Sequence, residues 1–273
     1  MPRPTKKRAH LIAGGFPPGS FAGHDIDYAR LRLLQMLGDN GNLETTVSND
    51  FTDVEKWLPS CQLLVTYVAG PFPDAARCIV IDEWLENGGR WIALHGTSGG
   101  KAARIPDSRF RRMEKLEHHN SLGCFFLNHP PVRKFSIDVA VHPLTEGVPS
   151  KFEVSDELYL LEMLDPNLEV LLTTPLEKDP SPEGFGFIYD EDTSIQEDGK
   201  TRVLGYVRTV GQGRVVYYAL GHCHTPETNV QIYVDESVAA GGVTPLTFKG
   251  PWETDAFQKL LTNAIKWCEA ASN

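Results

Sequence analysis

Short apolar runs alternate with stretches of helical periodicity over the first hundred residues. Residues 9–15 form an apolar run that ends in glycines, which predicts a buried strand, and apolar side chains over residues 26–37 recur at helical spacing until Gly38. The same patterns predict strands at residues 43–47, residues 62–68 and Arg90–Leu94, and a helix at Ala75–Glu86. This alternation of strands and helices predicts an α/β fold with a doubly wound, mostly parallel sheet flanked by helices.

The second half of the chain is less regular and predicts an antiparallel extension late in the sheet. The patterns predict a polar helix at residues 108–117, strands at residues 135–141, 168–174 and 185–189, a hairpin at residues 201–220, and a closing amphipathic helix at residues 254–271. No internal repeat or linker interrupts the chain. We therefore predict a single domain over residues 9–273, preceded by a disordered leader over residues 1–8.

Two of the predicted strands end in a histidine beside a glycine. His95 follows Arg90–Leu94 and opens a Gly-rich turn, and His222 follows Gly221 at the end of the apolar run at residues 214–220. Open α/β sheets bind ligands at the carboxyl edge of their strands, and glycines let backbone or ligand approach closely. The pattern favours two imidazoles that converge on one cleft. The alternative is that each histidine only caps its strand with a hydrogen bond.

Other polar residues lie at positions where ligands commonly bind. His24 and Asp25 lie at the mouth of the first strand-to-helix loop. Asp156 and Glu157 precede an apolar run. One interpretation of these carboxylates is a helix amino terminus capped by Ser155. The other is a general base or metal ligand beside the histidines.

The remaining candidates have simpler structural explanations. His129 and His142 each lie in a proline-containing turn, where either residue alone is more often a turn residue than a catalyst. His118 and His119 follow the polar stretch, and we expect them on a solvated face.

Three side chains are candidate nucleophiles, namely Thr97, Ser98 and Cys223. A hydroxyl in a Gly-rich turn usually forms the turn, and an isolated cysteine is more often structural than reactive. The chain has no HExxH, GxxxxGK[ST] or GxSxG motif. Its glycine turns do not form a GxGxxG followed by a suitable acid, so we expect no nucleotide cofactor.

Charge and composition exclude several classes of partner. The formal net charge of −10 disfavours nucleic acid and anionic membrane surfaces. No apolar run approaches the length of a membrane span, and no signal peptide is recognisable. The five cysteines are scattered without a CxxC pair, which is typical of reduced thiols. These features predict a cytoplasmic protein.

Several short motifs, in the right order, resemble the trehalose-utilisation (ThuA-like) family, whose fold is that of class I glutamine amidotransferases, a flavodoxin-like fold. The matching motifs are Gly23-His24-Asp25, Gly88-Gly89 through Leu94-His95, Phe126 with His129-Pro130, His142-Pro143-Leu144-Thr145-Glu146-Gly147, Asp156-Glu157-Leu158-Tyr159, Gly211-Gln212-Gly213-Arg214-Val215 through Leu220-Gly221-His222, and Trp267 at the end of the closing helix. Glutamine amidotransferases have a cysteine at the elbow after the strand that corresponds to residues 90–94. This chain has His95 there, so the resemblance implies that glutaminase chemistry is absent.

The resemblance implies a role in carbohydrate metabolism with a small-molecule carbohydrate as substrate. A keto-glycoside has an acidic proton next to its carbonyl, and cleaving it requires a base, an electrophile and an acid. His95, Glu157 and His222 are the expected catalytic residues, acting directly or as ligands of a divalent transition metal. The expected substrate-binding residues are His24, Asp25, Thr97, His129, His142 and Tyr159.

Two other functions remain open for the same sequence. One is a non-catalytic sugar- or partner-binding module that keeps the fold without the nucleophile, and the other is an amidotransferase-like hydrolase that uses Thr97, Ser98 or Cys223. Whether the chain forms a homo-oligomer is also open. Residues 16–22 and 230–250 depart from the family pattern, and we expect them to reshape the mouth of the pocket.

Overall fold

The amino-terminal part of the molecule alternates strands and helices as the sequence predicts. The computed structural model describes residues 6–15 and 23–270. The elements of this part are β1 (Lys7–Gly14), α1 (Ile26–Asp39), β2 (Leu43–Ser48), α2 (Val54–Trp57), β3 (Leu63–Val68), α3 (Ala75–Glu86) and β4 (Arg90–Leu94). Asp25 and Asp74 cap α1 and α3 by accepting a backbone N–H in the first turn, which explains where the two helices begin.

The rest of the described chain consists mainly of strands. These elements are β5 (Lys101–Arg104), β6 (Arg111–Glu114), α4 (His118–Leu122), β7 (Cys124–Asn128), β8 (Arg133–Val139), β9 (Lys151–Asp156), β10 (Leu160–Met163), β11 (Glu169–Pro175), β12 (Thr201–Val210), β13 (Gly213–Tyr218) and α5 (Asp255–Ala270). Among the described residues, no helix is both long and apolar enough to cross a bilayer.

Nine strands form one sheet, which is parallel in one half and antiparallel in the other. Its order is β2-β1-β3-β4-β13-β12-β11-β8-β9. The neighbours from β2 to β13 are parallel, and those from β13 to β9 are antiparallel. The predicted doubly wound, mostly parallel sheet with a late antiparallel extension is therefore confirmed.

The direction of three strands brings their carboxyl ends to one edge of this sheet. Tyr218 of β13 is in register with Leu94 of β4, so the residues that follow both strands lie side by side. Four antiparallel pairings separate β13 from β9, so β9 runs in the same direction as β13. The end of β9 at Asp156 therefore points to the edge where β4 and β13 end.

The core lies on both faces of the parallel half. All six residues of β3 are buried, as expected for a central parallel strand covered on both faces. The right-handed crossovers from β1 to β2 and from β3 to β4 run in opposite directions along the sheet, which puts α1 and α3 on opposite faces. The apolar stripe of α5 is buried from Phe257 to Cys268 and packs near β4.

Two predicted elements are wrong because tertiary pairing outweighs the local pattern. Residues 108–117 do not form a helix: Arg111–Glu114 is β6, which pairs with β5 in a polar hairpin. Residues 185–189 do not form a strand, because their backbone bonds elsewhere. The N–H of Phe187 donates to the side chain of Asn128 (3.0 Å), and that of Ile188 donates to the carbonyl of Arg111 (2.9 Å).

Two further boundaries differ from the predictions. β1 begins at Lys7, which is in register with Leu43, so Lys7 and Arg8 belong to the sheet and not to a leader. The segment at Ser155 ends strand β9 and does not begin a helix. Residues 1–5, 16–22 and 271–273 lie outside the described residues.

Candidate functional site

His95 occupies a sharp turn at the end of β4. Its φ angle is +45°, in the left-handed region that residues other than glycine seldom adopt. The side chain is fully buried, and its Nδ1 donates to the carbonyl oxygen of Ala219 across a distance of 2.7 Å. Because this bond uses the Nδ1 proton, the Nε2 of neutral His95 presents a lone pair to the edge of the sheet.

The segment after β13 is fixed beside His95 by a close approach that only glycine allows. Gly221 has a φ angle of +142°, and a Cβ there would lie 3.1 Å from the Cβ of His95. Its carbonyl oxygen accepts bonds of 2.8 Å from the Tyr67 hydroxyl and the Trp252 indole. The carboxylate of Asp156 accepts the N–H groups of Gly221 (2.8 Å) and His222 (3.0 Å). These bonds fix the direction in which His222 leaves the strand.

Four buried side chains meet at this edge: His24, His95, Glu157 and His222. One ligand atom from each lies within 4.8 Å of the other three. The Nε2 of His95 is 3.0 Å from the Nε2 of His24 and 3.3 Å from Oε2 of Glu157. The Nδ1 of His222 is 3.2 Å from Oε1 of Glu157, and the Nε2 of His24 is 3.9 Å from its Oε2. We call these four residues the His/Glu cluster.

A chain of hydrogen bonds sets the tautomer of His222. The Nε2 of His224 donates to the carbonyl oxygen of Pro245 (2.9 Å), so the Nδ1 of neutral His224 is an acceptor. That acceptor takes the Nε2 proton of His222 (2.9 Å), which leaves a lone pair on the Nδ1 of His222. This Nδ1 is buried and has no well-aligned hydrogen bond among the described residues, although it lies against Glu157.

The charges in the cluster are unevenly distributed. Burial favours the neutral form of Glu157, but the imidazoles of His129, His222, His95 and His24 outweigh it and hold the pKa of Glu157 well below its usual range. Burial also disfavours protonation of His95, yet its contacts with Glu157 raise its pKa. Burial lowers the pKa of His222 well below the ordinary value. The centre is thus one carboxylate surrounded by imidazoles, and a proton is favoured on His95 more than on His222.

Such a donor set fits a first-row divalent cation. Two imidazole lone pairs, from His95 and His222, face one carboxylate with no proton between His222 and Glu157, so a cation would satisfy every one of these acceptors. Metal-ligating histidines usually donate their other ring proton to a carbonyl or another acceptor. His95 does so to Ala219, and His222 does so to His224.

Tyr159 and His129 border the cluster. The Tyr159 hydroxyl lies 3.1 Å from Nε2 of His95, and its ring stacks on that imidazole with the ring centroids 4.3 Å apart. Burial, followed by the charge of Glu157, raises the pKa of Tyr159 well above its ordinary value. The Nε2 of His129 is 3.5 Å from Oε1 of Glu157, and its Nδ1 donates to the carbonyl of Pro130 (2.8 Å). Both residues are therefore neighbours of the cluster, and their role in substrate binding stays a prediction.

Three predicted substrate-binding residues lie outside the cluster. Asp25 caps α1 and pairs with Lys249 (2.6 Å) behind His24. The Thr97 hydroxyl bonds the side chain and carbonyl of Thr66, so it faces the core. His142 caps a short turn and packs near Trp267, which also lies against Arg90 at the start of β4, at the opposite edge of the sheet. The prediction for His142 is therefore wrong, because the turn that contains it lies at the edge of the sheet opposite to the cluster.

His118 and His119 are buried, which contradicts the predicted solvated face. The Nε2 of His118 donates to the carbonyl of Thr97 (3.1 Å), and the Nε2 of His119 donates to those of Ser98 (3.1 Å) and Gly99 (3.0 Å). The two rings therefore brace the turn that carries His95. The sequence shows no sign of this role, because the carbonyls that they bind lie about twenty residues earlier in the chain.

Sequence reasoning missed three residues of the site: Asp156 as the anchor of residues 221–222, His224 as the acceptor for His222, and Gln231, whose amide donates to Oε1 of Glu157 (2.5 Å). The role of His224 could have been suggested by the sequence, because His222 and His224 lie on either side of Cys223. Nothing local marks Gln231, because its contact with Glu157 spans 74 positions.

The fold and the cluster together define a doubly wound α/β protein with a buried histidine–glutamate centre at the carboxyl edge of its sheet. A family model described as trehalose utilisation (ThuA) matches residues 19–235. The chain belongs to this trehalose-utilisation family, as its motifs predict. The family description links the chain to the use of carbohydrates.

Solved structures share this fold at low sequence identity. A ThuA-like protein from Bacteroides uniformis ATCC 8492 is 16% identical with a TM-score of 0.59, over 96% of this chain and 91% of that chain. One from Parabacteroides merdae ATCC 43184 is 17% identical with a TM-score of 0.55, over 96% and 90%. A β-galactosidase from Bacillus circulans sp. alkalophilus is 11% identical with a TM-score of 0.50, over 79% of this chain but 28% of the enzyme. Comparison with curated protein sequences gives no match.

Proposed function

We propose that this protein is an enzyme of carbohydrate metabolism that cleaves or rearranges a keto-glycoside at the His/Glu cluster. The observation that carries the proposal is the convergence of His24, His95, Glu157 and His222, all buried, with ligand atoms within 4.8 Å of one another. A buried carboxylate surrounded by imidazoles costs free energy to desolvate. A stabilising cation or a reacting group would offset that cost.

The same four residues would hold a divalent transition metal. When bound, such an ion supplies a Lewis acid for a substrate carbonyl. His95 donates its other ring proton to the carbonyl of Ala219, and His222 donates its own to His224. These two hydrogen bonds orient the imidazoles for metal binding. We do not propose Asp156 as a metal ligand, because both of its carboxylate oxygens already accept backbone N–H groups.

The residues next to the cluster suit proton transfer on a sugar. Tyr159 has a raised pKa, so its hydroxyl keeps its proton at neutral pH and can donate to an oxygen that gains negative charge. His129 is only partly buried, with 14% of its side chain exposed, and its Nε2 lies 3.5 Å from Oε1 of Glu157, so we propose it as the group that passes protons between Glu157 and a bound sugar. These residues supply the donor and the proton carrier that the reaction needs.

A keto-glycoside is the substrate class that this chemistry favours. The carbonyl acidifies the C–H bond on the carbon between it and the anomeric carbon. A base removes that proton, the C–H electron pair forms a carbon–carbon double bond, and the bond to the leaving oxygen breaks as that oxygen takes up a proton. We propose the imidazoles and Glu157 for these proton transfers, in keeping with the carbohydrate role of the family.

Nucleophilic catalysis has less support from the geometry. Burial raises the pKa of Cys223 to about 12, which disfavours the reactive thiolate. The Thr97 hydroxyl is bonded to Thr66, and that of Ser98 is bonded to Tyr217 at 2.7 Å. None of these three groups is available next to a general base.

We also propose a cytoplasmic location with a small-molecule carbohydrate as partner. The support for this location is that all five cysteines are free and buried, which suits a reducing compartment.

Metal analysis and a turnover assay on the untagged protein test the proposed function. We expect a stoichiometric first-row metal, product formation from a keto-glucoside, and no product from the unoxidised glucoside. Saturable sugar binding without product from any keto-glucoside would instead support a sugar-binding module. If the protein bound neither a metal nor a sugar, the proposal would be overturned, and only the family and the fold would remain.

A further inference from the structure

One wall of the site is a short segment that departs from the family pattern. Over residues 230–233 exposed side chains alternate with less exposed ones: Val230 and Ile232 are 67% and 86% exposed, whereas Gln231 is 9% exposed and Tyr233 is half-buried. Alternation of this kind is typical of an extended segment with one face on the protein. Gln231 and Tyr233 lie on the same inner face.

Gln231 is held in place from both sides of its backbone. Its N–H donates to Oδ1 of Asn229 (2.8 Å), and its carbonyl accepts from Nδ2 of Asn229 and from the Thr244 hydroxyl, each at 3.2 Å. Its amide nitrogen donates to Oε1 of Glu157 at 2.5 Å. This last bond fixes the orientation of the amide, because only the nitrogen can donate to a carboxylate.

The other atom of the same amide has no partner. The Oε1 of Gln231 is buried and accepts no hydrogen bond from any described residue. Because it shares one carbon with the nitrogen that contacts Glu157, it lies beside the His/Glu cluster. A buried acceptor without a donor destabilises a protein. An O–H group of a bound ligand would supply that donor.

Aromatic rings lie next to Gln231 and lead to the same oxygen of Glu157. Tyr233 packs against Phe185 with ring centroids 5.6 Å apart, Phe185 packs edge-on against His129 at 5.8 Å, and His129 contacts Glu157. Phe185 and Tyr233 are both only partly buried. A polar acceptor and two partly exposed rings around one carboxylate match a pyranose ring, which has hydroxyls at its rim and an apolar C–H face.

We propose that Gln231 accepts a hydrogen bond from a ring hydroxyl of the glycoside and that Phe185 and Tyr233 pack against the apolar face of the same ring. The proposal rests on the proposed function and adds to it the residues that select the sugar. Gln231 and Tyr233 lie in one short segment, so a sequence change in that segment would alter the polar and the aromatic contact with the sugar together.

Equilibrium binding of unoxidised methyl glycosides, which carry no carbonyl to react, tests the assignment. We expect wild-type protein to bind one of the methyl glycosides of glucose, galactose or mannose, and Gln231→Met to weaken that binding about 10-fold, as for one lost hydrogen bond. Tyr233→Ala weakens it to a similar extent through lost packing. Ile232→Ala, on the exposed face of the same segment, is the matched control and leaves the affinity unchanged.

Monodeoxy derivatives of the bound glycoside identify the hydroxyl. We expect one derivative to bind wild-type protein about 10-fold more weakly than the parent glycoside. Gln231→Met should not weaken the binding of that derivative any further, whereas it should weaken the binding of every other derivative. Equal losses for every derivative would overturn the role of Gln231 in recognition and leave it as a support for Glu157.

The outcomes separate this assignment from the proposed function. Product from a keto-glucoside, with unchanged KM and glycoside affinity in Gln231→Met and Tyr233→Ala, overturns the assignment and keeps the proposed function. Binding that depends on Gln231 without any product supports the assignment and removes the proposed reaction. Absence of both binding and product overturns both.

Discussion

Two groups of buried histidines meet at the turn at residues 95–99, and the two groups differ in the residues that surround them. His118 and His119 donate to three backbone carbonyls of that turn and to no carboxylate. His24, His95 and His222 instead surround the carboxylate of Glu157. The residue types are the same and the burial is similar, so the difference lies in the charge at the centre of each group.

The comparison shows what a single buried carboxylate changes. Burial lowers the pKa of His118 to about 3, so this ring stays neutral and serves as a hydrogen-bond donor. Contacts with Glu157 raise the pKa of His95 despite complete burial. One pair of histidines therefore braces the backbone, whereas the other group forms a centre able to bind a cation.

Removing the carboxylate should have the largest effect. Glu157→Gln keeps the size of the side chain and removes its charge, so we expect it to abolish stoichiometric metal uptake and to lower turnover of a keto-glycoside by about 10²–10⁴-fold. Metal analysis and steady-state kinetics measure these effects. Glu153→Gln, on the exposed side of β9, is the control. If Glu157→Gln took up metal as the wild type does, the carboxylate would not be what distinguishes the His/Glu cluster from the pair of His118 and His119.

Disturbing the tautomer of His222 should have a smaller effect on the same centre. His224→Leu removes the acceptor of the His222 Nε2 proton, so we expect metal affinity to fall about 10–100-fold, as for other supporting hydrogen bonds. Competition with a chelator of known affinity measures the change. Phe248→Leu, which alters a ring stacked on His224 without touching the hydrogen bond, should change the affinity far less.

The bracing pair should affect stability and its pH dependence. The folded pKa of His118 is about 3, below the ordinary value of 6.5, so the unfolded chain takes up a proton that the folded chain does not as the pH falls below 6.5. The stability from this ring is complete above pH 6.5 and is lost towards pH 3, at about 1.4 kcal/mol per pH unit. Urea unfolding between pH 4.5 and 7 should show a shallower slope for His118→Gln.

A matched control for that slope lies on the same helix. Asn120→Ala changes an exposed side chain of α4 and keeps both histidines, so its slope should equal that of the wild type. Identical slopes for His118→Gln and the wild type would contradict the assignment of a neutral, buried His118.

His142 should give the smallest effect on the site. His142→Ala removes a cap at the opposite edge of the sheet, so we expect a loss of about 1 kcal/mol of stability and no change in metal affinity. Thermal unfolding and the chelator competition provide the two measurements. A loss of metal affinity with this variant would mean that His142 communicates with the cluster despite its position.

The sequence predicted the parallel half of the sheet because most strands there are apolar runs that alternate with helical periodicity, as in Arg90–Leu94. It also predicted that His95 and His222 lie at one edge of the sheet, since a polar residue that directly follows such a run lies at the carboxyl edge. The structure places both next to Glu157, which the sequence indicated only through its family motif.

The sequence could not predict contacts that depend on how the antiparallel half folds over this edge. Arg111–Glu114 is polar on both faces, so its pairing with β5 leaves no periodic signal. The burial of His118 and the reach of Gln231 to Glu157 depend on residues far away in the chain. His142 was misplaced because a family motif gives the identity of a residue but not the edge of the sheet on which its turn lies.

The spread of the His/Glu cluster along the chain has a consequence for the order of folding. Its members come from positions 24, 95, 157 and 222, so they meet only when the loops between them have closed. The hairpin of β12 and β13 is local, whereas the cluster needs contacts between distant parts of the chain, so we expect the hairpin to form before the cluster. An ion that binds all four residues would select the completed native state, stabilise it by mass action, and slow its unfolding more than it speeds its folding.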